Sequence, residues 1–151
     1  MAINILSKST WRSDLAEKLD FCRILKIPLY IVFPAFHVAI DIYKPPFLRA
    51  YVLQENNEYK MIELRKTLEI ESDKWEEDII DVSELVPFRL GIIKRKEQKH
   101  QGGLSLYRLV LLDPKKDELL LTKNEKTIKE KEKTIQRLEE ENKMLKEKLK
   151  E

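Results

Sequence analysis

Residues 121–151 read LTKNEKTIKEKEKTIQRLEEENKMLKEKLKE, and this stretch decides the C-terminal architecture. It contains neither Gly nor Pro and consists largely of Lys and Glu. One heptad frame places an apolar seam along it, with a positions at Leu121, Ile128, Ile135, Asn142 and Leu149 and d positions at Leu138 and Leu145. Such a seam, flanked by charged e and g positions, predicts a coiled coil. Because an isolated helix of this kind gains little stability without packing, a homodimer is the simplest expected assembly.

The seam also predicts how the two helices pair. A single Asn at a, here Asn142, favours a parallel, in-register dimer, because only there can the two amides meet. In that register Glu141 at g faces Lys146 at e of the other helix, which is an attractive pair. Asn124 and Lys131 occupy d positions, so the seam weakens towards residue 122. The alternative is a solvated single helix stabilised by Glu/Lys pairs at i,i+4.

The remaining body has about 120 residues, which is the size of one ordinary domain. Its charge and composition limit the functions that it can have. The chain has 151 residues, a net charge of +2 and 37% charged residues. The tail from Thr122 holds ten of the 29 basic and eight of the 27 acidic residues, so the body is neutral. Overall charge therefore gives no argument for nucleic-acid binding, and only a local patch would support it. Abundant Lys and Glu with only 3 Gly is also typical of heat-adapted proteins.

Several classes of site and location are disfavoured by the same composition. The single cysteine, Cys22, excludes an internal disulfide and suits a reducing cytoplasm. His37 and His100 are isolated from other metal-ligating residues, so no zinc site is expected. Residues 27–43 are apolar, but they are interrupted by proline and contain Asp41, so no membrane span is expected. No secretion signal is apparent, and we expect a cytoplasmic protein.

The N-terminal part of the body predicts one helix. Ser9 or Thr10 suits a helix cap, and the helix would run to about Lys26, before Pro28. Four residues share one apolar face of this helix, namely Leu15, Leu19, Cys22 and Leu25. We therefore expect that face to pack on a sheet.

Strands make up most of the rest of the body. Residues 29–33, LYIVF, form an apolar run suited to a buried strand. The remaining expected strands are residues 1–6, 37–43, 50–54, 58–64, 88–95 and 105–112. The sequence thus predicts an α+β domain over 1–120, with a helix and a mixed or antiparallel sheet, followed by a coiled-coil helix over 121–151.

A basic segment lies between the last two long strands. Lys94, Arg95, Lys96 and Lys99 fall close together there, and we expect them in a loop. Such residues can contact phosphates and are the candidate nucleic-acid-binding residues of the chain. The alternative is that these residues form a solvated hairpin tip, which explains the same composition.

The N-terminal block resembles a known family. Residues 3–18 read INILSKSTWRSDLAEK and are followed by KIPLYIVFP and HVAIDIY. This arrangement is similar to the Uma family of restriction endonucleases, in the PD-(D/E)XK nuclease superfamily, whose members often end in a charged coiled coil. The likeness covers about residues 3–64. The agreeing positions are Ser7, Ser9, Thr10, Asp14, Lys18, Pro28, Tyr30, Val32, Pro34 and Tyr43.

The resemblance implies a restriction-endonuclease-like fold and assigns roles to individual residues. Lys18 matches the helix-borne lysine that would stabilise phosphate charge, and Asp14 matches the helix aspartate. Asn4 stands where the family has a catalytic Glu. The family's other carboxylate lies upstream of this block, so we expect a truncated domain. The two carboxylates would hold magnesium, and a neutral Asn amide is a poorer ligand for that ion.

Three functions remain open at this stage. The chain is either a catalytically incomplete relative of these nucleases that binds DNA, or an interaction protein dimerised by its tail. The third possibility is a metal-dependent DNA endonuclease assembled in trans, whose missing half comes from another chain or from the dimer partner. Asn4 and the neutral body argue against the third and weaken the first.

Overall fold

The computed structural model describes residues 1–35, 44–69, 76–99, 105–116 and 118–148. Within these limits the fold is mixed α+β, which confirms the predicted class. The chain divides into two compact units, Met1–Leu119 and Leu120–Glu151. The strand that the sequence predicts at 37–43 and the seam residue Leu149 lie outside the described residues.

The first sheet of the N-terminal unit has four strands. They are β1 (Ala2–Ile5), β2 (Leu29–Phe33), β3 (Leu48–Leu53) and β4 (Tyr59–Leu64), in that order across the sheet. β1 runs parallel to β2, and the other neighbours are antiparallel. Asn57 takes a positive φ of 64° in the β3–β4 turn. Asn tolerates this left-handed backbone conformation better than most residues do. The predicted strands at 1–6 and 29–33 and the predicted hairpin are confirmed.

Two short helices replace the single predicted helix. α1 (Trp11–Leu15) and α2 (Glu17–Ile24) are separated at Ala16, whose φ of −124° and ψ of −77° are not helical. The phenol of Tyr30 donates to the Asp14 carbonyl oxygen at 2.8 Å, which a continuous helix would offer to the Lys18 amide. A tertiary contact therefore coincides with the break.

The predicted buried face of this helix is only partly correct. Leu15, Leu19 and Cys22 pack against the sheet. Leu25 does not, because it lies just beyond the end of α2 and is 55% exposed. The chain then turns at Lys26, which has a φ of 53°. Because α2 ends at Ile24, Leu25 does not extend the face that Leu19 and Cys22 form.

β2 is buried on both faces. Tyr30 and Val32 face α1 and α2, whereas Leu29, Ile31 and Phe33 pack towards the second sheet. All five residues are buried, as the continuous apolar sequence predicts for a strand covered on both sides. The helices, the first sheet and the second sheet therefore form successive layers of the N-terminal unit.

The second sheet is antiparallel. A 3-10 turn at Glu76–Asp78 precedes its strands, which are β5 (Ile79–Ile80), β6 (Arg89–Lys99), β7 (Ser105–Asp113) and β8 (Glu118–Leu119), in that order. The strands predicted at 88–95 and 105–112 are confirmed. β6, however, continues through Lys99, with a register irregularity after Lys94, so the expected loop at 94–99 is wrong. A long hairpin can extend its backbone pairing beyond the point where apolar alternation stops.

Close packing on the outer face of the second sheet requires a glycine. A Cβ atom at Gly91 would lie 2.4 Å from Cδ1 of Leu68, which is itself buried. The Leu68 amide also donates to the Ile92 carbonyl oxygen at 2.7 Å. The segment after β4 is thereby fixed across β6.

The C-terminal unit is one long helix, α3 (Lys123–Lys148). Thr122 and Glu125 form a capping box at its start: the Thr122 amide donates to Glu125 Oε2 at 2.7 Å, and the Glu125 amide donates to Thr122 Oγ1 at 3.4 Å. Leu121 therefore precedes the helix. None of the helices in the described ranges is both long enough and apolar enough to cross a membrane.

Candidate functional site

A buried carboxylate lies at the centre of the candidate site. Asp14 on α1 is fully buried, and its Oδ2 accepts a hydrogen bond from the Thr10 hydroxyl at 2.7 Å. Lys18 on α2 makes an ion pair with Oδ1 and has a side chain that is 51% exposed. Asp14 thus lies just beneath the surface, under the aliphatic stem and ammonium of Lys18. The residues matched to the nuclease family at these two positions do lie together.

Thr10 has a different role from the predicted cap. It occupies the N-cap position of α1, but its side chain makes no capping hydrogen bond to the backbone. Because its single hydroxyl proton goes to Asp14, the Ser7 hydroxyl at 2.8 Å must donate to Thr10. Ser7, Thr10 and Asp14 therefore form a directed hydrogen-bond chain.

The environment of Asp14 favours its ionised form. Burial alone raises the pKa of a carboxyl group, but hydrogen bonding with Lys18 and Thr10 and a polar contact with Asn4 more than offset it. The pKa of Asp14 is therefore lowered from its ordinary value. At neutral pH the side chain is an anion paired with an ammonium group.

Asn4 and Tyr30 extend the cluster onto the sheet. Tyr30 donates to the Asp14 carbonyl oxygen, so its phenolic oxygen accepts from Asn4 Nδ2 at 3.3 Å. Burial raises the pKa of Tyr30 to about 12, and the phenol stays protonated at neutral pH. The family-matched positions Asn4, Thr10, Asp14 and Tyr30 are thus linked through polar contacts. Tyr30 is among the positions that agree with the family, but the only sequence signal for its polar contacts is a hydroxyl group within an otherwise apolar strand.

The existing contacts of Asp14 and the amide of Asn4 limit the capacity of this cluster to bind a metal ion. Both carboxylate oxygens of Asp14 already have partners, and Asn4 supplies an amide where a second carboxylate would be needed for a two-carboxylate metal site. Over the ranges that the structure describes, no three His, Cys, Asp or Glu side chains group as potential metal ligands. Burial raises the pKa of the Cys22 thiol, which disfavours the nucleophilic thiolate.

A second polar cluster was not foreseen from the sequence. Glu63 on β4 bridges two arginines, with Oε2 2.6 Å from Arg49 Nε and Oε1 2.7 Å from Arg65 Nε. Both guanidinium groups also lie over the Phe47 ring, 5.0 and 4.7 Å from its centroid. The register of the hairpin pairs Arg49 with Glu63, but the strand predicted at 50–54 does not include Arg49.

The proposed nucleic-acid-binding residues lie in one strand. Lys94, Arg95, Lys96 and Lys99 all belong to β6, and the side chain of Lys94 is exposed. The side-chain positions of the other three lie outside the described part of the structure. Their role in binding stays a prediction.

The dimerisation residues form an exposed seam on α3. Ile128, Ile135, Leu138 and Leu145 are 55%, 54%, 47% and 57% exposed, and Asn142 is exposed between the two leucines. These described seam residues are thus not buried as the residues of β2 are.

Comparison with known proteins identifies no relative. No family model, curated protein or solved structure matches this chain. The resemblance to the Uma family therefore stays a prediction supported by the residues of the N-terminal block.

Proposed function

We propose that this protein is a catalytically silent, self-associating relative of the restriction-endonuclease-like proteins, held as a homodimer by α3. The observation that carries the proposal is the exposed seam of α3. Four large apolar side chains, Ile128, Ile135, Leu138 and Leu145, stay about half exposed at heptad spacing. A partner helix would bury them, at about 25 cal/mol per Å² of apolar area removed from water.

The choice of a second copy as the partner follows from the seam itself. Asn142 at a meets an identical Asn only when the two helices are parallel and in register, and Glu141 then faces Lys146. The capping box at Thr122 stabilises the helix start in each copy. One helix thus carries both halves of a self-complementary interface.

The proposed lack of catalysis rests on Asn4 and Asp14. A magnesium-dependent phosphodiesterase needs carboxylates that are free to bind the magnesium ion. The bound ion then activates a water molecule for the reaction. Asp14 instead accepts a hydrogen bond from Thr10 at the start of α1, and its ion pair with Lys18 links α1 to α2. We therefore assign Asp14 and Lys18 a structural role that the family resemblance alone does not suggest.

Light scattering on seam variants tests the dimer. The change Leu138→Glu with Leu145→Glu should convert a dimer to a monomer of 18.0 kDa, because it places charges in the buried stripe. Met144→Glu is the matched control, since Met144 is also 57% exposed but falls at heptad position c, off the seam. A double variant that keeps the wild-type mass at the same concentration would contradict the assigned seam.

A plasmid-cleavage assay tests the proposed lack of nuclease activity. Wild type, Lys18→Ala and Asn4→Glu would each be incubated with magnesium or manganese. We expect no metal-dependent cleavage from the first two. Wild-type cleavage that Lys18→Ala abolishes would contradict the proposal and support a magnesium site completed by another chain. Activity gained only in Asn4→Glu would support the family relationship.

DNA binding is a second candidate function, favoured by the position of four basic residues within the single strand β6. If Lys94, Arg95, Lys96 and Lys99 contact phosphates, affinity should fall steeply with salt, with a log–log slope of about 0.9 per neutralised phosphate. Replacing all four with Ala should then flatten the slope. A slope that is the same in wild type and variant would exclude this segment as the phosphate contact.

A further inference from the structure

The outer edge of β1 offers backbone groups for one more strand. β1 is the terminal strand in the order of the first sheet, and no strand in the described ranges pairs with its outer edge. Three apolar side chains of this region are exposed, Met1 by 50%, Ile3 by 44% and Ile5 by 62%. An apolar edge of this kind is where sheets accept further strands.

Hydrogen-bond alternation identifies which groups face outward. The Leu6 amide donates to the Phe33 carbonyl oxygen at 2.9 Å, so the backbone of Leu6 points towards β2. In an extended strand the amide and carbonyl of one residue share a side, and the next residue points to the opposite side. Asn4 therefore also points towards β2, whereas the amides and carbonyls of Ile3 and Ile5 point outward.

The sequence of β1 contains none of the residues that commonly protect a sheet edge. Protected edges carry lysines, prolines or bulges, and the AINI sequence of Ala2–Ile5 carries none of these. Its side chains are uncharged, so two copies would meet without like-charge repulsion along the strand.

We propose that β1 pairs antiparallel with β1 of a second copy, joining the two first sheets into one eight-stranded sheet. The pairing centres on Asn4. Ile3 of one copy then lies opposite Ile5 of the other, and these are the residues whose backbone groups point outward. Each of the two Ile3–Ile5 pairs forms two hydrogen bonds. The exposed isoleucines of both copies share one face of the joined sheet.

The second copy is the chosen occupant because this register is self-complementary and two-fold symmetric. The inference rests on the proposed function, since the α3 dimer would hold the second β1 nearby at a high effective concentration. A parallel coiled coil and an antiparallel strand pair are both isologous contacts, so each is compatible with a symmetric dimer.

Amide hydrogen exchange resolved by NMR tests the strand pairing without changing β1. In wild type, the Ile3 and Ile5 amides should exchange as slowly as those of Asn4 and Leu6. In Leu138→Glu with Leu145→Glu, exchange at Ile3 and Ile5 should speed up by about tenfold or more, while Asn4 and Leu6 stay protected by β2. The two inward-facing amides are the internal control for folding.

An edge variant tests the same pairing without disturbing α3. Ile5→Lys places a charge on the paired edge, so the Ile3 amide should lose its protection while the mass from light scattering stays that of a dimer. Met61→Lys, on the exposed face of β4, is the control and should leave the Ile3 amide protected.

The outcomes separate the two proposals. Fast exchange at Ile3 and Ile5 in a dimeric wild type would overturn the strand pairing and leave the α3 dimer standing. A monomeric wild type would overturn both.

Discussion

β2 and α3 each carry a regular apolar pattern, yet the apolar residues of β2 are buried and those of α3 are exposed. Every residue of β2 is buried between the helices and the second sheet, whereas the seam of α3 stays about half exposed. The apolar side chains of β2 are covered by this chain, and we propose that a second chain covers those of α3. Apolar periodicity therefore indicates a surface suited to burial, but it does not indicate which molecule covers that surface.

Truncating one isoleucine in each region should give the largest contrast. Ile31→Ala removes a fully buried side chain and should lower the free energy of unfolding by about 2–5 kcal/mol. Ile135→Ala should leave the unfolding of the N-terminal unit unchanged and weaken dimerisation instead. Urea denaturation at two protein concentrations separates the effects, because only a change in dimerisation depends on concentration. Equal losses from both variants would remove the distinction between the two regions.

The polar contact at Asp14 should matter less than the β2 core. Lys18→Met keeps the aliphatic stem but leaves the Asp14 carboxylate without its ammonium partner. We expect a loss of about 1–2 kcal/mol, below the usual cost of breaking a buried pair, because Lys18 is half exposed. Lys116→Met, in the exposed turn after β7, is the control and should be neutral within about 0.5 kcal/mol. A Lys18→Met variant as stable as its control would remove the structural role of the pair.

Acid should reveal the same contact. The folded pKa of Asp14 is lowered, so its stabilising contribution is present above the unfolded pKa of about 3.9 and is lost as pH falls through the folded value. Asp14→Asn should therefore show a shallower loss of stability between neutral pH and pH 3. Glu63 and Asp81 also have lowered pKa values, so some acid sensitivity should remain. Identical pH profiles would contradict the sign of the Asp14 shift.

Gly91 provides a test of packing on the outer face of the second sheet. Gly91→Ala should cost about 1 kcal/mol, because the new methyl group meets Leu68 Cδ1 and the leucine must shift. Leu68→Ala removes the contacting atoms, so the double variant should lose less than the sum of the two single variants. Additive losses in a double-mutant cycle would show that the two residues do not interact.

The smallest effect on the N-terminal unit should come from Asn142→Leu. Replacing the polar a residue should tighten the dimer by about tenfold, since a buried Leu replaces an amide. It should also relax the preference for parallel, in-register pairing. Sedimentation equilibrium measures the affinity, and weaker association in this variant would place Asn142 outside the seam.

The sequence predicts local elements better than the contacts between them. LYIVF and the 50–64 hairpin are evident because apolar runs and turn residues act over a few positions. The break at Ala16 could not be foreseen, because it accompanies a contact from Tyr30, sixteen positions beyond Asp14. Likewise, the i,i+4 spacing indicates that Asp14 and Lys18 can pair, but not that Asp14 is buried.

Disulfide cross-linking of α3 tests the central claim most directly. Lys131→Cys, in a Cys22→Ser background, places a thiol at a d position. Because the native residue there is Lys, the substitution removes no apolar side chain from the seam. Lys133→Cys is the matched control at f, on the opposite side of the helix. A parallel, in-register dimer predicts rapid covalent dimer formation from Lys131→Cys and little from Lys133→Cys under mild oxidation. Equal cross-linking by both, or none by either, would contradict the pairing of α3 with a second copy.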